Sequence, residues 1–273
     1  MSFTKKGKQK FQEAYGPWAV VTGASSGIGK AMAHEIAAAG LNLILVARRG
    51  PILQELASAL RREHLIETKI VEADLGTLEG IEAVEIVSQT VDVGLFVLAA
   101  GFGTSGEFIF TSLADERNML RVNCEALMVQ THSFARRLAD RGKGGIILFS
   151  SMVAFQGVPF AAHYAATKAY VQTLAEGLAV ELKSIGVDVL SAAPGPVNSG
   201  FASRADMQMG NVMAPEQVAF PILRALGRRT TVFPGFLTKF LTSSLSILPR
   251  WGKVRVMQQV MGGFTAHQRS SVS

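Results

Sequence analysis

One cysteine, Cys124, stands in a chain of 273 residues, so no intramolecular disulfide can form. That fits a reducing compartment, and a cytoplasmic location is expected. No stretch of about 18 uninterrupted apolar residues occurs, which argues against a membrane-spanning helix. Residues 1–16 are basic but lack the apolar run of a secretory signal. Acid is missing from both ends. Residues 1–10 carry Lys5, Lys6, Lys8 and Lys10 with no Asp or Glu, and after Glu216 there is no acid but eight Lys or Arg from Arg224 to Arg269. The formal charge of +6 is therefore carried by the ends, because residues 11–220 hold 15 basic and 21 acidic side chains. Such a body offers no nucleic-acid-binding face, while a tail of this kind can be drawn to something anionic. His34, His64, His132 and His267 are scattered without partners at metal-ligand spacing, so no metal site is expected.

What the chain does have is material for a core. Hydrophobic residues make up 48% and charged residues 18%, a globular balance. Short β-rich runs alternate with helical patterns. Strands are expected at 18–21, 41–46, 68–72, 95–99, 145–149 and 187–192, and helices at 28–39, 51–63, 78–88, 114–139 and 161–184. Continuous apolar runs such as LNLILV and GIILF suit strands buried on both faces. Right-handed crossovers then build a three-layer α/β/α doubly wound parallel sheet, Rossmann-like, with ligands beyond the carboxyl ends of the strands. No linker divides the body, so the expected organisation is a basic tail over 1–14, one domain over 15–228 and a C-terminal extension over 229–273.

The first strand runs into Thr22-Gly23-Ala24-Ser25-Ser26-Gly27-Ile28-Gly29 and then a helix. Glycines permit a tight turn and close approach to a pyrophosphate, which a helix N-terminus attracts with free N–H groups. Gly23, Ser25, Ser26, Gly27, Ile28 and Gly29 are thus candidate cofactor contacts. The second strand ends in Val46-Ala47-Arg48-Arg49, where an NAD enzyme usually places an acid for the ribose 2′-hydroxyl. Arg48 and Arg49 instead offer guanidinium forks suited to a 2′-phosphate, so NADP(H) is the expected cofactor.

Tyr164 and Lys168 stand at i and i+4, on one face of a helix. An ammonium beside a phenol favours the phenolate and is expected to lower the tyrosine pKa. Ser151, at a strand end, can donate a hydrogen bond to a reacting carbonyl. In this order and spacing the motifs over about residues 16–200 resemble the short-chain dehydrogenase/reductase family.

The resemblance implies more than the spacing shows. It makes Asn123, Ser151, Tyr164 and Lys168 a catalytic tetrad, with Tyr164 exchanging a proton with the substrate oxygen and Asn123 supporting a relay water. It places Asp74-Leu75 at the adenine, Ala100-Gly101 beside the cofactor, and Pro194-Gly195-Pro196-Val197-Asn198-Ser199 over the nicotinamide. Tyr164 and Lys168 also count among the cofactor contacts. Leu98-Ala99 replaces the family's usual asparagine pair, and altered local bonding is expected there.

Apolar side chains gather on the substrate side: Phe102, Val153, Phe155, Val158, Phe160, Phe201, Met207, Met209 and Met213. They suit a lipophilic ketone, aldehyde, ketoacyl or steroid-like substrate, or the corresponding alcohol. The basic, apolar extension has three readings: a lid, an oligomer contact, or a peripheral membrane segment. The long helices also offer faces for a homodimer or homotetramer. The competing reading of the whole chain is a catalytically inactive nucleotide-binding regulator of the same fold.

Overall fold

The computed structural model describes residues 3–210 and 212–269; residues 1–2 and 270–273, at the tips of the two basic ends, lie outside them. Seven strands form one sheet: β1 (Trp18–Thr22), β2 (Asn42–Ala47), β3 (Thr68–Glu72), β4 (Val93–Leu98), β5 (Gly144–Phe149), β6 (Val187–Ala192) and β7 (Thr231–Val232). Their order is β3-β2-β1-β4-β5-β6-β7, and every neighbouring pair is parallel. The chain builds outward from β1 in one direction, then restarts at β4 on the other side. That reversal opens a crevice at the carboxyl ends of β1 and β4, where such sheets bind ligands.

Helices α1 (Lys5–Tyr15), α2 (Gly27–Ala38), α3 (Gly50–His64) and α4 (Leu78–Gln89) precede β4. Helices α5 (Leu113–Leu120) and α6 (Leu127–Arg141) lie between β4 and β5, with α7 (Ala162–Glu181) before β6. The last part holds α8 (Phe201–Arg204), α9 (Pro215–Ala225), α10 (Phe236–Ser246), α11 (Arg250–Phe264) and α12 (Ala266–Arg269). Side chains of α2, α3 and α9 pack one face of the sheet, and those of α4, α6 and α7 the other. Strands β1, β4 and β5 are buried at every residue, as continuous apolar runs require.

Three expectations are corrected. Residues 5–15 are not a tail but a helix, whose Thr4 side chain caps the Gly7 amide. Phe11 and Tyr15 give α1 a buried stripe, and the Tyr15 hydroxyl donates to Asp188 Oδ2 at 2.7 Å, so α1 closes the amino ends of β4 to β6. The helix expected over 114–139 is interrupted by a π turn at Arg121–Ala126, a local widening that recurs at functional sites. The extension does not begin outside the domain, since β7 completes the sheet, with Gln172 of α7 bonded to both Ser191 and Thr231. On the α6 face, Arg137 donates to the Ser88 hydroxyl and carbonyl at 2.7 and 2.8 Å and lies over Phe96 and Phe134.

Candidate active site

The glycine turn leaves β1 and enters α2 at the crevice. Gly27 has a φ of +53°, a left-handed conformation, and a Cβ there would overlap the Cβ of Ser199. A Cβ on Gly29 would run into the Gly23 carbonyl. Glycine is therefore required by close backbone approach, and the turn meets the loop after β6 directly. Ser26 precedes α2 without a side-chain cap, so the first-turn amides are left for another acceptor.

One cavity of about 1110 Å³ runs along the carboxyl edge. It is lined by Gly23, Ser25, Ser26, Gly27, Ile28, Gly29, Arg48, Arg49, Asp74, Leu75, Ala100, Gly101, Ser151, Tyr164, Lys168, Pro194, Gly195, Val197 and Ser199. Every site residue expected from the sequence, Asn123 excepted, thus shares a single space. Arg49 donates to the Ser25 hydroxyl at 2.9 Å, tying the end of β2 to the glycine turn. Arg48 extends toward Asp74 at 4.0 Å, an exposed and weak pairing, while Asp74 accepts from the Gly76 amide at 2.9 Å. The fourth strand ends at Leu98, packed in the core, and the Ala100 amide donates to the Thr22 hydroxyl oxygen at 3.0 Å. That bond ties the two strand ends at the Leu98-Ala99 departure.

Asn123 sits beneath the cavity, almost fully buried. Its amide donates to the Phe102 carbonyl at 2.8 Å and to Thr167 at 3.1 Å, and accepts from the Phe102 amide at 3.1 Å. The side chain is a brace, joining the loop after β4 to α7. The π turn aims it inward.

Tyr164, Lys168 and Ser151 are each buried at the cavity wall. The Tyr164 hydroxyl hydrogen-bonds Ser151, which opposes the rise in its pKa. Burial nevertheless prevails and pushes Tyr164 up to about 12. The expected lowering by Lys168 is not found, and the geometry explains it. The ammonium donates to the Phe149 carbonyl at 2.8 Å and lies 5.9 Å from the Tyr164 ring centre. The same burial pushes Lys168 down to about 8. A phenol at this height holds its proton at neutral pH. Nearby Cys124 is pushed up to about 11 by burial, so it behaves as a packed small side chain.

The substrate side was only partly legible. Phe102, Val153, Phe201, Met207 and Met209 line the cavity. Four others do not: Phe155 packs on Phe233, Val158 and Phe160 pack in the cluster that backs the cavity wall with Phe102, Tyr164 and Met257, and Met213 packs against the core beside the sheet. The roof comes from α10 and α11, through residues such as Leu237, Leu241, Leu245, Met257, Met261 and Phe264. A lid is one of the three readings of this basic, apolar segment, although none of its residues is assigned to the site by the sequence. His163 turns away from the cavity and pairs with Glu116 at 2.5 Å. The histidines are not all scattered in space: the ligating atoms of His34, Glu63 and His64 lie within 4.8 Å of one another, on α2 and α3 outside the cavity.

A parallel doubly wound sheet with a glycine turn and a buried Tyr–Lys pair at its carboxyl edge defines a Rossmann-like α/β protein. A family model described as short chain dehydrogenase (adh_short) matches residues 17–209. The chain is 32% identical over 233 residues to the 7beta-hydroxysteroid dehydrogenase of Clostridium sardiniense, covering 84% of this chain and 89% of that one. A structure from work on 7beta-hydroxysteroid dehydrogenase stereoselectivity superposes with a TM-score of 0.84 at 27% identity, covering 90% of this chain and 98% of that one. A short-chain dehydrogenase from Sphingobium yanoikuyae, solved in complex with NADPH, gives a TM-score of 0.76 at 28% identity, covering 86% and 97%. This chain belongs to the short-chain dehydrogenase/reductase family of oxidoreductases.

Proposed function

We propose that the protein is an NADP(H)-dependent oxidoreductase acting on a carbonyl or alcohol group of a lipophilic substrate. The observation that carries this reading is the convergence of Tyr164, Ser151 and Lys168 in one cavity with the glycine turn and Arg48-Arg49. The cavity residues fit a dinucleotide phosphate: uncapped α2 amides face it, the turn admits no Cβ at Gly27, and two guanidinium groups stand at the end of β2. Arg49, held on Ser25, and Arg48 would grip a 2′-phosphate. Asp74 and Leu75 would flank the adenine, and 194–199 would cover the nicotinamide.

A nicotinamide held by these residues would supply or accept the hydride. Tyr164 donates its hydroxyl proton to the carbonyl oxygen in reduction and takes one back in oxidation. Ser151 donates a hydrogen bond to the same oxygen and fixes its position. Lys168 contributes positive charge beneath the tyrosine, and Asn123 keeps the loop at Phe102 in place. Proton transfer by a positioned group is worth about 10²–10⁴ in rate. The apolar roof from α10 and α11 suits a steroid-like or acyl substrate, in keeping with the relative from Clostridium sardiniense.

Fluorescence titration of NADPH and NADH on wild type and Arg48→Ala tests the cofactor, and turnover of lipophilic ketones by wild type and Tyr164→Phe tests the chemistry. The expected result is tighter NADPH binding that weakens in Arg48→Ala, with turnover lost in Tyr164→Phe. Cofactor binding without turnover of any such carbonyl would favour the inactive nucleotide-binding regulator instead.

A further inference from the structure

The roof of the cavity has a second side. On α10, Leu237, Leu241 and Leu245 line the cavity, while Phe236 and Phe240 project outward, 85% and 58% exposed. Their rings lie stacked with centres 6.5 Å apart. In the turn into α11 and its first residues, Ile247 and Trp251 are also exposed, at 85% and 68%. Side chains of this size seldom stand in water together unless something covers them.

Charge says what covers them. Lys239 lies on α10 between the two phenylalanines, and Arg250, Lys253 and Arg255 follow on α11, with the Arg255 guanidinium 5.8 Å from the Trp251 ring centre. No acidic residue occurs anywhere after Glu216. An interfacial tryptophan, exposed aliphatic and aromatic tips and a basic fringe are the pattern of a segment seated in an anionic headgroup layer. No helix among the described residues is long and apolar enough to cross a membrane, so the contact is with the surface. The basic residues of α1 play no part, because α1 covers the amino ends of the strands, at the opposite edge of the sheet.

We propose that α10 and the start of α11 dock the protein on an anionic lipid surface, with the cavity mouth held against the bilayer. A lipophilic substrate then passes between the leucines of α10 without crossing water. Docking stands on the exposed face alone; only the nature of what enters rests on the function proposed above.

The protein carries its own probe. Of two tryptophans, Trp18 is buried at 7% exposure and Trp251 lies in the proposed face. Full-length protein is titrated with phosphatidylglycerol–phosphatidylcholine vesicles and with phosphatidylcholine vesicles, following Trp251 emission and co-sedimentation. The expected result is a blue shift and pelleting with anionic vesicles at low salt, both weakened by added salt. Each of Lys239→Glu and Arg250→Glu should weaken binding about fivefold or more. Phe236→Ser with Phe240→Ser should reduce it at least about tenfold, with NADPH binding unchanged in all variants. Turnover of a water-soluble ketone should persist, so failure of the reaction and failure of docking read out separately. No pelleting with anionic vesicles at low salt overturns the proposal. So does binding that the variants leave intact, or a doubled solution mass that the Phe236→Ser, Phe240→Ser protein loses, since a second copy would then cover this face.

Discussion

The guanidinium of Arg204 lies over the ring of Phe102, 4.0 Å from its centre, at the edge of the apolar arm of the cavity. It has no hydrogen-bond or ion-pair partner among the described residues, and the other charged lining groups, Arg48, Arg49, Asp74 and Lys168, belong to the cofactor side or the catalytic pair. An apolar wall ending in one oriented cation would suit a lipophilic molecule with an anionic end. Arg204→Leu is therefore expected to raise KM for a carboxylate-bearing ketone about tenfold or more, the worth of a charged hydrogen bond. The methyl ester of the same ketone should change little. Equal effects on acid and ester would show that Arg204 acts through packing on Phe102.

Burial of Tyr164 sets the pH behaviour. With its pKa raised to about 12, the hydroxyl is protonated throughout the neutral and mildly alkaline range. As proton donor the hydroxyl itself stays available for reduction from pH 7 to about 10, so any fall in reduction over that interval is expected to follow loss of the Lys168 charge near pH 8, whereas oxidation needs the deprotonated tyrosine and should rise with pH. Rate profiles of kcat/KM in both directions check this. Oxidation that fails to rise between pH 7 and pH 10 would mean that cofactor binding draws the Lys168 charge onto the phenol.

Lys168 costs the free protein stability. Its folded pKa, about 8, lies below the ordinary lysine value, so between these two pH values the unfolded chain binds the extra proton. Stability from this group rises with pH through that window, and below pH 8 the full cost of burying the ammonium remains. Lys168→Met should therefore lose turnover, while the wild type gains stability relative to it between pH 8 and pH 10. Thermal melts of both cofactor-free proteins across that range measure the difference. A constant gap would place the ammonium in contact with water.

The helix at the amino terminus is part of the folded body. Phe11 is buried at 5% exposure against the Phe3 ring and the sheet core. Phe11→Ala is expected to cost about 3–5 kcal/mol, a buried aromatic truncation, with NADPH affinity unchanged while the protein stays folded. Urea unfolding gives the number; a loss under about 1 kcal/mol would show that α1 folds apart from the core.

Much of the fold was legible because parallel strands buried on both faces need unbroken apolar runs. Residues 42–47 and 144–149 could hardly be read otherwise. Strand β7 escaped notice because two residues, Thr231 and Val232, carry no period, and pairing with β6 decides them. Helix α1 was read as a tail because its lysines mask a buried stripe of only two residues, Phe11 and Tyr15. In the site, residues in local motifs were readable, since a turn or a helical i, i+4 pair is defined by near neighbours. Phe155, Val158, Phe160 and Met213 were assigned to the cavity from proximity in sequence, yet Phe155 and Met213 pack elsewhere and Val158 and Phe160 pack behind the lining.

By itself the sequence determined the layered parallel sheet, the glycine turn with its two arginines, and the helix that carries Tyr164 and Lys168. These depend on periodicity, backbone freedom and charge at short range. Only the tertiary structure decided the height of the tyrosine pKa, the bracing role of Asn123, the α10–α11 roof and the placing of Arg204 on Phe102. Each of these depends on how much water is excluded and on which distant segments meet. Desolvation and long-range packing are properties of the assembled chain, and no local pattern encodes them.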